Sequence, residues 1–245
     1  MKIVGLLSWY EESPAWLVEC VASAARVCDH LIAADGPYAM FPGALRKPFS
    51  GTEQADAILR TAAGAGIGCT LHAPREPWWG GEIEKRDFMF HIGSAFTTAA
   101  DWYLRIDADE FLTTVPPDVK QRLAATELNV AEVTLWEREA SAQVAELVDT
   151  SADYETPFRC LFRALPSIRI EQAHYIVTAD NPAGGRFVLR GNDNHHKQDD
   201  AEQLLDLRLE HRTRLRPAGR QRIKQIYGAA IPELEPVSPF EEIHA

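Results

Sequence analysis

Cysteine and methionine are scarce, with four and three residues respectively, and no two cysteines stand in C-x-x-C spacing. Scattered as they are, Cys20, Cys28, Cys69 and Cys160 exclude a disulfide framework or zinc ribbon and read as small buried apolar residues in a reducing compartment. Long hydrophobic runs are also missing. Ile3-Val4-Gly5-Leu6-Leu7 and Leu31-Ile32-Ala33-Ala34 stop far short of the roughly 20 residues that cross a bilayer. The amino terminus lacks the basic, apolar and small-residue succession of a secretory signal, so a cytoplasmic location is expected. No P-loop, H-E-x-x-H or G-x-S-x-G occurs, which removes the usual NTPase, zinc-protease and hydrolase signatures. Gly64, Gly66 and Gly68 precede a strand, whereas a dinucleotide fingerprint follows one and opens a helix.

What is present fits a folded α/β chain of 245 residues, 46% hydrophobic and 25% charged, with enough length to bury a full core. No repeat, low-complexity tract or clear linker divides it. One domain over 1–228 is expected, with halves at 1–112 and 113–228 and an acidic, Pro-rich tail at 229–245. The net charge is −11, but residues 208–224 hold seven basic residues against a single acid, Glu210. A local anionic partner is implied there, while the more acidic remainder would repel one. A solvated helix face is the plainer alternative.

Apolar periodicity alternates between strand and helix. Lys2 to Ser8 is a continuous apolar run of strand length. Ser13-Pro14 opens a helix, with proline at the first helical position. Leu31 to Ala34 forms a strand ending in the turn Asp35-Gly36-Pro37. A helix over 53–65 leads to a strand at Cys69-Thr70-Leu71, and a helix over 82–100 leads to the strand Trp102 to Asp107. Strands separated by helices of this length predict a mostly parallel sheet with helices on both faces. Farther on, Val130 to Glu137, Pro157 to Leu165, Ser167 to Tyr175 and 205–211 read as strands, and 217–227 as a basic helix.

Open parallel sheets bind ligands beyond the carboxyl ends of their strands. Glu11-Glu12, Asp35 and Asp107-Ala108-Asp109-Glu110 fall there. In extended backbone, Asp107 and Asp109 point to one side. A hard divalent cation, Mn²⁺ or Mg²⁺, would relieve their mutual repulsion, with positions left for diphosphate oxygens; an acidic loop after a buried strand is the plainer alternative.

These residues, with Glu84-Lys85-Arg86-Asp87 before them and Val4 to Glu12 and Ala34-Asp35-Gly36 at the start of the chain, resemble the family 2-like glycosyltransferases of the GT-A (Rossmann-like) fold. The resemblance covers roughly residues 1–112, in the family's order. It implies a first nucleotide-binding loop at Ser8, Tyr10 and Glu11, base or ribose binding by Asp35, and a cationic helix start at Lys85 and Arg86. It also implies ribose or metal binding by Asp107 and metal binding by Asp109. In the second half, His211 would complete the metal site, Arg212 and Arg216 would contact the diphosphate, and His174 would approach the acceptor; His174 reads equally as a core histidine. Trp78-Trp79-Gly80-Gly81 suits a mobile loop that stacks on a sugar or base, although one ring can equally cover the sheet edge. His195 and His196 read as a solvated loop, with approach to a metal or substrate as the alternative. An inverting transfer needs a base near the acceptor hydroxyl, and Glu137, Glu139 and Asp153 are all candidates. A retaining transfer would not need one there.

The expected function is therefore sugar transfer from a nucleoside-diphosphate sugar to a hydroxyl acceptor, either a small glycan or a modified nucleic acid. A sugar nucleotidyltransferase is the enzymatic alternative, but the loop Ser8-Trp9-Tyr10-Glu11-Glu12 lacks the glycines that class normally carries. A non-catalytic nucleotide-sugar-binding protein of the same fold is the other.

Overall fold

The structure, a computed structural model, describes residues 1–137, 154–171, 176–191, 198–212 and 215. Strand β1 (Ile3–Ser8) is buried at all six positions, the pattern of a strand covered on both faces. Helix α1 (Pro14–Ala24) begins at proline, and Ser13 occupies the cap position without a side-chain capping bond. Strand β2 (His30–Ala34), helix α2 (Thr52–Gly64), strand β3 (Gly68–His72), helix α3 (Gly81–Gly93) and strand β4 (Trp102–Asp107) follow in order. The helix expected over 82–100 ends seven residues early. The hydroxyls of Ser94 and Thr97 bond back to the carbonyls of His91 and Gly93, an alternative to helix continuation that these side chains favour. Gly93 lets Tyr103 close over the helix end, since a Cβ there would lie 2.6 Å from the Tyr103 ring.

The remaining elements are β5 (Glu110–Thr114), α4 (Val119–Ala125), β6 (Val130–Glu137), β7 (Tyr154–Arg163), β8 (Arg169–Ile170), β9 (Val177–Asp180), β10 (Arg186–Arg190) and β11 (Glu202–His211). Sequence periodicity did not single out β5, α4, β9 or β10. Of the strand expected over 167–175, residues 167–171 are described and only Arg169–Ile170 form a strand, β8; the basic helix expected at 217–227 and the tail lie outside the described residues.

The main sheet has the order β3-β2-β1-β4-β7-β6-β11-β5. Its first four strands are parallel. Beyond β4 the pairing is mixed: β7 is antiparallel to β4 and β6, β11 is parallel to β6, and β5 is antiparallel to β11. The sheet is therefore mixed, parallel through its first four strands, because beyond β4 it continues through the antiparallel β7 and ends on the antiparallel β5. Helices α1 and α2 pack on one face against Ile3, Leu7, Trp102, Leu104 and Ile106. Helix α3 and the small antiparallel sheet β10-β9-β8 cover the other, against Val4, Leu6, Tyr103 and Phe162.

Only Ala108 and Asp109 separate β4 from β5, yet β5 lies four strand positions away in the sheet. In a flat sheet that separation is about 19 Å, beyond the roughly 10 Å that the link can span. The sheet must curl to bring β5 back. The Arg212 N–H donates to the Asp109 carbonyl (2.8 Å), which closes the curl. Phe111 meets Trp16 of α1 edge-on at 5.8 Å, and the Leu112 N–H donates to the Ser23 hydroxyl at 3.1 Å. Phe111→Ala is expected to cost about 3–5 kcal/mol, whereas the same truncation at exposed Phe49 stays within about 0.5 kcal/mol; denaturant unfolding of both variants checks this.

Candidate functional site

The strand directions place the ends of β1, β2, β3, β4, β6 and β11 at one edge, where the antiparallel β5 begins. Register sets Ser8 opposite both Ala34 and Asp107, and His211 opposite both Glu137 and Glu110. The sheet alone thus gathers Asp107, Glu110, Glu137 and His211, and the two-residue link adds Asp109.

Each of these groups is held. Arg86 of α3, 3% exposed, donates to both oxygens of Asp107 at 2.9 and 3.0 Å, and through Nε to Glu82 at 2.6 Å. Burial by itself would raise the Asp107 carboxyl, but Arg86 and Arg105 outweigh it and hold the group well below the usual carboxylate range. Glu110 turns back to accept the Asp107 N–H at 2.8 Å, fixing the turn. Burial and the Asp107 charge push Glu110 up to about 7. His211 bridges two acids, with Nδ1 2.7 Å from Glu137 Oε1 and Nε2 3.3 Å from Asp109 Oδ2. Burial would lower its pKa, but hydrogen bonds to Asp109 and Glu137 raise it to about 10. Glu137, a base candidate by sequence, is engaged in orienting His211.

The two amino-terminal loops are knitted together. Asp35, 1% exposed, accepts the N–H groups of Gly36 and Ser50 (both 2.6 Å) and the Ser50 hydroxyl (2.7 Å). As arranged, it anchors the loop 36–50, and both its oxygens are already used. The Ser50 Oγ also accepts the Glu11 N–H, at a residue with φ of 48°. Glu11 pairs with Lys47 at 2.7 Å, and the Tyr10 hydroxyl donates to the Lys47 carbonyl. Buried Lys85 donates to the carbonyls of Trp9 (2.7 Å) and Gly36 (2.8 Å), tying the β1 and β2 loops to α3. Ser8 is buried at the end of β1.

Two sequence expectations change, at Trp78 and at Arg212. Trp78 is 7% exposed, donates to the Asp35 carbonyl and packs beside Phe88, so it is core rather than a stacking platform. Trp79, 62% exposed, is the ring of the pair that faces solvent. Arg212 offers no free fork to a diphosphate. Its guanidinium lies 4.1 Å over Phe111 and bonds Glu19 and Glu210. Glu139, Asp153, His174, His195, His196 and Arg216 lie outside the described residues. Glu110 and Ser50 were not assigned roles from sequence. Glu110 stood inside the acidic motif, but its backward bond appears only with the turn; Ser50 lies 15 residues from Asp35 and carries no local signal.

Among the described residues, no three or more His, Cys, Asp and Glu side chains are arranged to hold a metal ion. Asp109 and His211 supply two donors of suitable chemistry, an oxygen and an imidazole nitrogen, provided the proton between them leaves. A cavity of about 270 Å³ at the opposite edge, lined by Arg26, Val115, Pro117 and Lys120, has no such donors. No protein-family model and no curated protein matches the chain.

Burial lowers the Lys85 ammonium from 10.5 to about 7, and a neutral amine still offers the two N–H groups that its two carbonyls need. Between those values the unfolded chain holds a proton that the folded chain releases. The stabilising contribution of Lys85 is therefore complete above 10.5 and is lost as pH falls through about 7. Denaturant titrations from about pH 6 to about pH 10 should show wild type gaining on Lys85→Met as pH rises. A constant or shrinking gap would contradict this.

Proposed function

We propose that the chain is a glycosyltransferase of GT-A type that moves a sugar from a nucleoside-diphosphate donor to a hydroxyl acceptor with Mn²⁺ or Mg²⁺. The observation that carries this reading is His211, whose Nδ1 is fixed by Glu137 while Nε2 faces Asp109 at the carboxyl edge. Metal-ligating histidines characteristically donate their other ring N–H to a carboxylate. Asp109 and His211 would hold the ion. A hard divalent cation commonly takes one or two protein ligands and fills its other positions with water and substrate phosphate oxygens. When bound, it supplies charge neutralisation on the leaving nucleoside diphosphate.

The chain's own residues prepare that place. Arg86 keeps Asp107 ionised and directed, Glu110 holds the backbone turn between them, and Lys85 and Ser50 position the loops beside which the nucleoside would lie. Exposed Trp79 suits a sugar or base face. With Glu137 committed to His211, Glu139 and Asp153 remain as base candidates for an inverting transfer. The acidic remainder of the chain favours a small glycan acceptor over a nucleic acid, whose binding would fall steeply with salt. Among the described residues, no helix is long and apolar enough to cross a membrane.

A thermal-shift panel of nucleoside-diphosphate sugars with and without Mn²⁺, followed by donor turnover, tests the reading. Metal-dependent stabilisation by at least one nucleotide sugar is expected, with turnover lost in Asp109→Asn and His211→Asn. Glu137→Gln separates two roles: orienting His211 predicts Mn²⁺ binding about 10–100-fold weaker, while a catalytic base would leave metal affinity intact and remove turnover alone. Absence of any metal-dependent nucleotide effect would refute the proposal.

A further inference from the structure

The face of β4 that carries Asp107 also carries Arg105, one side-chain step back from the carboxyl edge. Arg105 is 5% exposed, and among the described residues neither its Nε nor its Nη1 has a hydrogen-bond partner. Its guanidinium lies over the Phe158 ring at 5.3 Å, and Arg190, the last residue of β10, lies over the same ring at 4.6 Å. The Nη1 atoms of Arg86 and Arg190 are also buried without a partner. Burial, with Arg105 and Arg86 close by, lowers Arg190 from the ordinary guanidinium range to about 9. Three guanidinium groups thus crowd one spot between the main sheet, α3 and the small sheet.

Their charges are unevenly answered. Arg86 has Asp107 and Glu82, and neighbouring Arg159 has Glu132. Arg105 and Arg190 have no ion pair among the described residues. Glu110 acts on both electrostatically, but its hydrogen bond is to the Asp107 N–H. Removing a cation from water without a counter-charge is strongly unfavourable, and an aromatic face returns only part of that cost. Planar N–H forks with open donors are the means by which proteins recognise carboxylate and phosphate oxygens.

We propose that Arg105 and Arg190, joined by Nη1 of Arg86, form an oxyanion subsite that takes a carboxylate or phosphate group on the sugar or acceptor part of the substrate. It is separate from the place of the diphosphate. Asp109 and His211 mark that place at the edge, while Arg105 stands about 6.6 Å behind Asp107 along the strand and Arg190 comes from the small sheet. Half-buried Arg190 carries the cluster toward solvent. Two guanidinium groups that Asp107 and Glu110 answer only at a distance, with no ion pair among the described residues, suit a group of one or two negative charges. The subsite rests on this geometry; only the molecule that bears the anion rests on the transferase reading.

Isothermal titration of the full chain with inorganic phosphate, in a buffer free of other oxyanions, tests it. Wild type should bind, and Arg105→Gln and Arg190→Gln should each weaken binding by about tenfold or more. Arg122→Gln, which removes the same charge from the α4 surface where Arg122 pairs with Asp206, should leave it unchanged. If Arg105→Gln does not fold, the half-buried Arg190 variant decides alone. No binding by wild type, or an equal loss in the Arg122 variant, overturns the subsite. The carrier is found by turnover. An Arg190→Gln rise in KM confined to nucleoside-diphosphate hexuronates over hexoses places the anion on the donor sugar, and one confined to phosphorylated over neutral acceptors places it on the acceptor. Phosphate binding that responds to these variants without any nucleotide binding would leave the subsite standing and sink the transferase reading. Nucleotide turnover without a phosphate site would do the reverse.

Discussion

Ala108 and Asp109 are the whole connection between β4 and β5, and most of what is distinctive in the molecule follows from that shortness. A link of two residues cannot cross the flat distance between strands four positions apart, so β7, β6 and β11 must bend around it. Curling puts the end of β11 beside the Asp109 carbonyl and lays Phe111 and Leu112 against α1. The same bend sets His211 facing Asp109. An acidic motif that would be a solvated loop on a flat sheet becomes one wall of a folded edge.

The charges at that edge are organised as alternating chains rather than isolated pairs. Glu82, Arg86 and Asp107 form one, and Glu137, His211 and Asp109 another. In each, a cation (buried Arg86, half-buried His211) stands between two acids, so desolvation of every member is offset by a neighbour of opposite sign. Two histidine bonds to carboxylates keep His211 protonated through neutral pH, and a cation entering there must displace that proton. Arg105 and Arg190 fall outside both chains.

How much of this was legible in the sequence depended on distance along the chain. The succession from β1 to β4 was, because β1, β2 and β4 are largely apolar runs and each helix carries its own apolar stripe, with Ser13-Pro14 marking the start of α1. The spacing of Asp107 and Asp109 and their place at a strand end were equally local. Glu137 and His211 were recognisable as chemistry-bearing residues, but their partnership was not, since 74 positions separate them. Trp78 and Trp79 looked alike as neighbours, and only packing against His72 and Phe88 distinguished a core ring from an exposed one. Lys85 and Arg86 carried the same cationic label, yet one holds two loop carbonyls and the other an acid.

The amino-acid sequence by itself determined the succession of strands and helices from β1 to β4, the reach of the apolar core and the residues at strand ends where chemistry collects. Those features are set by periodicity, turn residues and backbone stereochemistry, which act over a few positions. Tertiary structure alone decided the mixed pairing beyond β4, the curl, the burial of Asp35 and Trp78, and the pairing of each charge. Such outcomes depend on which surfaces meet after loop closure and on the desolvation that follows, and no short stretch of chain encodes either.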